Sequence, residues 1–545
     1  MKYVQTLLAK IQINRRQFAF WNFFFLLSVL LQQAGVIRLN LMLNLLLLLW
    51  LLLPTPASWQ TVRGLGHARF GLSLLLAIWL LWQQTWLPTP SQVFALIETY
   101  GLPSWDYMMT FVTGLLTMSV LFSLAALALL GFLLSRKKLI NLAVLPLLLI
   151  ASPHLSLISD DAEESYTLVG IATAEAAEMD PERYLQAFYA AEAEQSVSFN
   201  QAKPDDAPFD IVVVHVCSLS WDDMKQIDLS YDSPFFRQFD YLFTNFNTAT
   251  GYSTPAVRRL LQASCGQRSH QDIHNDKQDE ACLLFNGLSS VGYKTYVGMS
   301  HDGVYGNFLN TIKQQTPADT VVLPLRDLQQ QAIFFDGRTQ LFNDNEVLQR
   351  WVSARESSRQ DRAVLYYNSV LLHAGIRWVG ERRSRNDKAQ FMDVTTAFLE
   401  DMQAFIDSLQ ASNRNTVLLF VPEHGRALTG SRFQPADVRD IPLPKITKVP
   451  VGVKLIGPGF TQQQTRQNIV SKPTSYLALS WLLSRYVDNS PFGDTPPSAD
   501  ALAFRIPRTE FVAEHEGRVV MEMDGKFVYR HTDGKWMTLT AGQLQ

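Results

Sequence analysis

Cys217, Ser253, His373, Glu423 and His424 are the side chains of this chain whose types could do chemistry together. Cys, Glu and His are ligand types for zinc, and three protein groups leave one position of a tetrahedral catalytic site open. The Ser253 oxygen could take that position. Cys217 ends the Val-rich run Ile211–Cys217, and His373-Ala374-Gly375 follows the run Ala363–Val370. Pro422-Glu423-His424-Gly425 continues directly from Val417–Val421, and Ser253 sits in the loop Thr248 to Pro255 where a helical segment begins. In an open α/β sheet, functional groups gather just beyond the carboxyl ends of the strands. Four separate segments would thus deliver a thiol, a hydroxyl, a carboxylate and imidazoles to one sheet edge.

The elements that must position them read as buried strands alternating with amphipathic helices from Phe209 onward. Besides the three runs above, Thr295–Met299, Thr320–Leu323 and Val449–Leu455 are short and apolar, while Pro255–Gln262, Asn345–Ser353 and Asp387–Leu409 have helical spacing. This pattern predicts an α/β domain over 208–545 with a mostly parallel central sheet covered by helices on both faces. Met523-Asp524-Gly525 and Thr532-Asp533-Gly534, set between alternating runs, predict a small C-terminal β-hairpin region. Residues 159–207 are acidic and Ala-rich and read as a linker with one or two helical turns near Pro181–Ala193.

The front of the chain is unlike the rear. Residues 1–158 carry 12 of the 97 charged side chains, and 10 of those 12 are Lys or Arg, so the chain is about +8 before Ser159 and about −11 after it. Five apolar runs, Phe18–Ile37, Leu39–Leu53, Phe70–Leu87, Met108–Leu134 and Leu139–Ile158, predict a five-span transmembrane domain. The second run, 15 residues long, is short for a span. Lys2, Lys10, Arg15, Arg16, Arg63, Arg69, Arg136, Lys137 and Lys138 fall on one side of such a layout, with Arg38 alone on the other. Positive loops stay inside, so the expectation is a multi-pass bacterial inner-membrane protein with a cytoplasmic N-terminus and a periplasmic catalytic domain. A soluble cytoplasmic enzyme is excluded, and the acidic rear argues against nucleic acid, whose phosphates need a basic face.

Outside the inner membrane, paired cysteines form disulfides. Of the three, Cys265 and Cys282 lie 17 apart around a polar, turn-like stretch and read as a loop staple, which leaves Cys217 over. A free thiol persists there more easily if a metal holds it as thiolate. Each candidate also has a plainer reading. Cys217 could be a small buried hydrophobe, Ser253 an N-cap ahead of Thr254-Pro255, Glu423-His424 a surface ion pair, and His373 a satisfied loop histidine. What favours a site is their agreement on one edge of one sheet.

At these residues the chain resembles a known family. Phe420-Val421-Pro422-Glu423-His424-Gly425 resembles the acidic-His-Gly metal motif of the alkaline-phosphatase-like superfamily, and five spans before a periplasmic domain look like the phosphoethanolamine transferases. Val216 to Trp221, Gly251-Tyr252-Ser253 with Arg259 to Gln267, and Arg439-Asp440-Ile441-Pro442 are similar to the cellulose-modifying branch, over nearly the whole chain. The lipid A-modifying relatives carry Glu, Thr and Asp where Cys217, Ser253 and Glu423 stand here, and a His where Arg439 stands. The resemblance implies one zinc ion on Cys217, Glu423, His424 and the Ser253 oxygen. It further implies a Ser253 nucleophile that takes phosphoethanolamine from phosphatidylethanolamine, and a glucose 6-hydroxyl of nascent cellulose as acceptor. His373 is then an acid/base or phosphate-oxygen donor, Arg439 a charge clamp, Tyr252 a stacking residue of the acceptor site, and cellulose synthase complex subunits are partners. Two other readings remain, a phosphoethanolamine or glycerol-phosphate transferase acting on lipid A or another periplasmic glycan, and a non-catalytic scaffold of the cellulose synthase complex.

Overall fold

The computed structural model describes residues 15–33, 37, 39–53 and 65–85, short pieces between 104 and 132, and residues 180–545 except 202, 204–205, 276–278, 384–386, 459, 461–465 and 545. They belong to two compact units, one of 1–101 with 111–175 and one of 102–110 with 176–545.

In the first unit, helices α1 (Arg15–Gln33), α2 (Leu41–Leu52) and α3 (Leu65–Gln84) pack through Trp21, Phe24 and Phe25, Leu47, Leu48 and Leu51, and Ala77 and Leu80. The Asn40 side chain caps α2 by accepting from the Leu43 N–H. Arg69 of α3 donates to the carbonyls of Trp50 and Leu53, satisfying the C-terminal end of α2. No helix among the described residues is long and apolar enough to cross a membrane. The expected span 108–134 lies mostly outside the described residues, and 139–158 and the acidic stretch 159–179 lie wholly outside them.

The second unit opens with α4 (Pro181–Ala193), β1 (Asp210–Cys217), α5 (Trp221–Gln226), β2 (Tyr241–Asn247) and α6 (Ser253–Leu261). It continues through β3 (Lys294–Met299), β4 (Val321–Val322), α7 (Asp344–Glu356), β5 (Ala363–Ser369), α8 (Lys388–Ala411), β6 (Thr416–His424), β7 (Lys448–Ile456), β8 (Asn468–Val470) and α9 (Tyr476–Asp488). The eight strands form one sheet in the order β8-β2-β7-β6-β1-β5-β3-β4. All neighbours pair parallel except β7, which runs against both β2 and β6. The expected mostly parallel sheet is present, and the reversed β7 makes it mixed.

Side chains alternate between the two faces, as the strand period requires. Ile211 and Val213 of β1 meet Val257, Leu260 and Leu261 of α6 and Leu479, Leu482 and Leu483 of α9 on one face. Val212, Val214 and Val216 meet Val347 and Trp351 of α7 and Phe391, Phe398 and Phe405 of α8 on the other. Both faces are dry, so the middles of β1, β5 and β6 (Ile211 to Val214, Ala363 to Tyr367 and Val417 to Val421) are apolar without interruption.

A four-stranded antiparallel sheet follows, β9 (Val512–His515), β10 (Arg518–Met523), β11 (Lys526–Arg530) and β12 (Trp536–Thr538). Asp524 and Gly525 join β10 to β11 at φ 51° and 74°, the left-handed pair that a two-residue hairpin turn needs. Where one or two turns within a linker were expected, α4 is a 13-residue helix docked on this sheet. Its Leu185 and Phe188, three apart on one face, bury against Val512, Val519, Met521 and Val528. Beyond it, Val197 N–H donates to Ser264 O and Gly266 N–H to Gln195 O, so residues 195–197 run beside 264–266. Cys265 and Cys282 are joined in a disulfide, and Cys217 is free and buried.

Candidate active site

The carboxyl ends of β1 and β6 make the floor of the site. The strands pair Val216 with Pro422 and then Cys217 with His424, a register slip that spends two residues of β6 on one of β1. Such a bulge re-aims side chains. Here it leaves Glu423 and His424 facing the Cys217 thiol instead of one of them pointing away.

Ser253 comes from a third element. Tyr252 holds the N-cap position of α6, with extended backbone, and Ser253 is the first helical residue. Its hydroxyl is therefore not a cap. The Oγ lies 3.4 Å from Cys217 Sγ and 3.5 Å from His424 Nε2. Gly251 lets the loop come this close to its neighbour, because a Cβ there would lie 2.6 Å from the Arg439 carbonyl oxygen. Gly425 is needed for a like reason, since its Cβ would meet Ser220 Cβ at 2.6 Å.

The donor atoms have the spacing of a coordination shell. Cys217 Sγ is 3.7 Å from His424 Nε2, which is 3.8 Å from Glu423 Oε2, and the ligand atoms of the three residues all lie within 4.8 Å of one another. Ligand bonds of about 2.0–2.3 Å in a tetrahedron give edges of about 3.3–3.8 Å, the range of the four separations above. Glu423 Oε2 is fully buried and has no hydrogen-bond partner. His424 Nδ1 lies 2.9 Å from the Gly425 carbonyl oxygen, which accepts a hydrogen bond from Nδ1–H and so leaves the lone pair on Nε2. An orphaned carboxylate oxygen, a thiol, a free imidazole nitrogen and a hydroxyl converging on one point fit a metal ion.

The electrostatics agree. Burial, followed by the Glu423 charge, pushes the Cys217 thiol up to about 12. Burial likewise lifts the Glu423 carboxyl to about 7, opposed by the polar groups of Ser253, Asn368 and Cys217 beside it. His424 is held neutral, far below its usual value. Without a cation, the two acids cannot both ionise in this dry corner, and a divalent ion reverses that order outright.

A buried network that the sequence reading missed holds Glu423. Gly303 N–H donates to His301 Nδ1, so the His301 proton is on Nε2, 2.9 Å from Asn368 Oδ1. That fixes the amide, and Asn368 Nδ2 donates to Glu423 Oε1 at 2.6 Å and to the His215 carbonyl at 3.0 Å. His215 itself is pulled down to about 3 by burial, and its Nδ1 lies 3.1 Å from Tyr366 OH. Asp223 plays a similar part for the loop after His424, accepting from the backbone N–H groups of Arg426 and Leu428 as well as from Ser220. Polar residues closing an otherwise apolar strand, Asn368-Ser369 on β5 above all, were the available signal.

The remaining candidates line the rim. His373 stacks on Phe335 with ring centroids 4.8 Å apart at 14°, and its Nδ1 lies 2.6 Å from Ala374 O. Burial, then the charge of Arg439, pulls it down to about 3, so the ring is neutral. Arg439 is buried, donates from Nε to Gly251 O and from Nη1 to the carbonyls of Arg426 and Asp437, and lies over the Tyr252 ring at 5.1 Å. Its charge favours the ionised forms of Cys217 and Glu423. Tyr252 donates its hydroxyl to Asp440 and packs its ring 4.5 Å from that of His515. No described contact joins His373 to Ser253, so the fold gathers the two without pairing them.

Comparisons with known proteins extend over both units. The profile of the family described as cellulose biosynthesis protein BcsG C-terminal domain matches residues 169–536, and that of the BcsG N-terminal domain matches 21–152. The cellulose biosynthesis protein BcsG of Escherichia coli strain K12 is 31% identical over 545 residues, covering 95% of each chain. That of Salmonella typhimurium strain LT2 is 30% identical with the same coverage. Among solved structures, a protein in the alkaline phosphatase superfamily from Vibrio parahaemolyticus overlaps 66% of this chain and 88% of its own, at 13% identity and a TM-score of 0.43.

Proposed function

The chain belongs to the family of the cellulose biosynthesis protein BcsG, and on that premise we propose that it is a zinc-dependent, alkaline-phosphatase-like phosphoethanolamine transferase. Its donor is phosphatidylethanolamine and its acceptor the glucose 6-hydroxyl of nascent cellulose. The observation that carries this is the Ser253 hydroxyl at the tip of α6, 3.4 and 3.5 Å from two members of a buried Cys-Glu-His donor set.

Cys217, Glu423, His424 and Ser253 would hold the ion. Thiolate, imidazole and carboxylate together suit zinc better than magnesium or calcium, which prefer all-oxygen shells. When bound, zinc lowers the pKa of a hydroxyl beside it and offsets charge on phosphoryl oxygens. Ser253 Oγ attacks the phosphorus of the lipid, the bond from phosphorus to the diacylglycerol oxygen breaks, and diacylglycerol leaves with a proton. The sugar hydroxyl then attacks the phosphoserine, the Ser253–phosphorus bond breaks, and the serine hydroxyl is restored. Splitting the transfer this way replaces one difficult displacement by two easier ones. A neutral His373 takes the proton of the incoming hydroxyl, and a bound phosphoryl anion raises its basicity for that step. Arg439, held by carbonyls and by the Tyr252 ring, supplies fixed positive charge beside the reacting oxygens, and Tyr252 lines the acceptor side.

The same proposal includes a five-span inner-membrane anchor with a cytoplasmic N-terminus and a periplasmic catalytic unit. It is supported by the charge split at Ser159 and by the apolar outer faces of α2 and α3, where Met42, Leu46, Leu49, Leu75, Ile78 and Trp79 are exposed. The disulfide suits an oxidising compartment. A lipid donor and an acceptor emerging at the same surface explain why such a unit is tethered there, alongside cellulose synthase subunits. Incubating the purified chain with a phosphatidylethanolamine analogue should add phosphoethanolamine to the peptide containing Ser253, read by mass spectrometry. Labelling at another residue would overturn the nucleophile, and a chain that binds no zinc would leave only a scaffold.

A further inference from the structure

Arg259 lies on α6, six residues beyond Ser253 and therefore about 9 Å further along the helix axis. Its side chain is 5% exposed, and one of its nitrogens, Nη1, donates to the Arg268 carbonyl at 2.7 Å. Nε and Nη2, which form the forked edge of the guanidinium, have no partner. No ion pair with a carboxylate reaches this guanidinium among the described residues. A buried charge left in that condition is costly, and an arginine keeps its charge. The negative end of α6, one carbonyl and the more distant charge of Glu514 offset only part of it.

The guanidinium lines a small cleft, open to solvent at its mouth, beside the Cys265–Cys282 disulfide. Three further side chains lining the same cleft carry buried polar atoms without a partner, Gln267 Oε1, Tyr476 OH and Thr509 Oγ1. Those residues are 9%, 4% and 2% exposed. Gln267 already spends its Nε2 on the Val512 carbonyl at 2.8 Å, so its oxygen is left in the cleft wall as an unpaired acceptor. The wall of the cleft thus holds a forked cation, two hydroxyls and one acceptor, all unpaired, and it shares no residue with the metal and nucleophile site.

We propose that this cleft is a second binding site, for a phosphate group, in which the Arg259 Nε–Nη2 edge takes two phosphoryl oxygens and the Tyr476 and Thr509 hydroxyls take the others. A planar fork matches a pair of oxyanion oxygens bidentately. Gln267 Oε1 accepts from whatever proton the ligand carries, the P–O–H of inorganic phosphate or the ammonium of an ethanolamine headgroup. These are two sources of one chemistry.

The full chain in detergent, stripped of metal with a chelator so that the other site is silent, is titrated calorimetrically with inorganic phosphate and separately with glycerophosphoethanolamine. Saturable binding of either is expected, weakened at least tenfold in both Tyr476→Phe and Thr509→Val, which remove one hydroxyl and keep the shape. The tighter of the two ligands identifies the source. Amide exchange of the unsubstituted chain gives an independent reading that needs no variant, with slowing expected over 262–268 and 506–510 on adding the ligand. No saturable binding of either ligand, binding untouched by both substitutions, or unchanged exchange over those segments would overturn the proposal and leave the cleft to water.

Discussion

Acidifying the protein should remove zinc from Cys217, Glu423 and His424 in two stages, and the steepness of each follows from the burial of the donors. The thiol is held near 12 and the carboxyl near 7, while His424 is already neutral. Above pH 7 a divalent ion must displace one proton, that of Cys217, so affinity rises tenfold per pH unit. Below pH 7 Glu423 is protonated as well, two protons are displaced, and the dependence steepens to a hundredfold per unit. From pH 7.5 to 5.5 the loss is roughly 3,000-fold, about 5 kcal/mol at about 1.4 kcal/mol per decade. The assay is chelator competition on the full chain in detergent at half-unit pH steps, corrected for the chelator's own protons. Cys217→Ser should bind more weakly and lose one unit of slope throughout, flat above pH 7 and tenfold per unit below. A parental affinity that does not change with pH, or a Cys217→Ser chain that keeps the parental slope, would refute the reasoning.

Three other outcomes follow from described contacts. Asn368→Ala removes the donor to Glu423 Oε1 and, as a partner of a ligand and not a ligand itself, should weaken zinc by about 10–100-fold with Cys217, Glu423 and His424 intact, measured by the same competition. Gly251→Ala places a Cβ 2.6 Å from the Arg439 carbonyl oxygen, and the resulting displacement of Ser253 or Arg439 should cut transfer on the order of 100-fold with zinc content unchanged. Asp344, buried with Tyr367 OH on Oδ1 and nothing on Oδ2, is raised to about 7. The folded state keeps its proton between about pH 4 and 7 while the unfolded state loses it, so this group costs stability as pH rises through that window. Asp344→Asn should flatten the dependence and raise stability at pH 8 by up to about 4 kcal/mol, read as the denaturation midpoint at pH 5 and pH 8.

The sheet was legible because its inner strands are buried on both faces. Five expected runs fall within one residue of β1, β3, β4, β5 and β7, and a sixth, Val417–Val421, stops three residues short of the end of β6. β2 was missed because Thr244, Asn245 and Asn247 interrupt its apolar pattern, and β8 because three residues carry too little of one. The reversal of β7 is a matter of topology, which hydrophobic patterning does not encode. Within the site, the strand-end rule singled out Cys217, Ser253, Glu423 and His424, whose donor atoms the fold brings together. Asn368 escaped notice because its role depends on register. It stands opposite His215, across β1 from Glu423, and nothing in the local sequence marks which strands are neighbours. The unpartnered Arg259 fork was beyond reach for a different reason, since an arginine in the last turn of a short helix reads as an ordinary surface cation.

The docking of α4 decides where this protein can be cut. Leu185 and Phe188 cover an apolar stripe of Val512, Val519, Met521 and Val528 near the opposite terminus, and Glu182 holds Arg530. A fragment starting at the first strand, as a naive domain boundary would suggest, leaves that stripe bare to water and invites self-association. Protease digestion or recombinant truncation that spares everything from Asp180 onward should instead release a well-behaved monomeric globule.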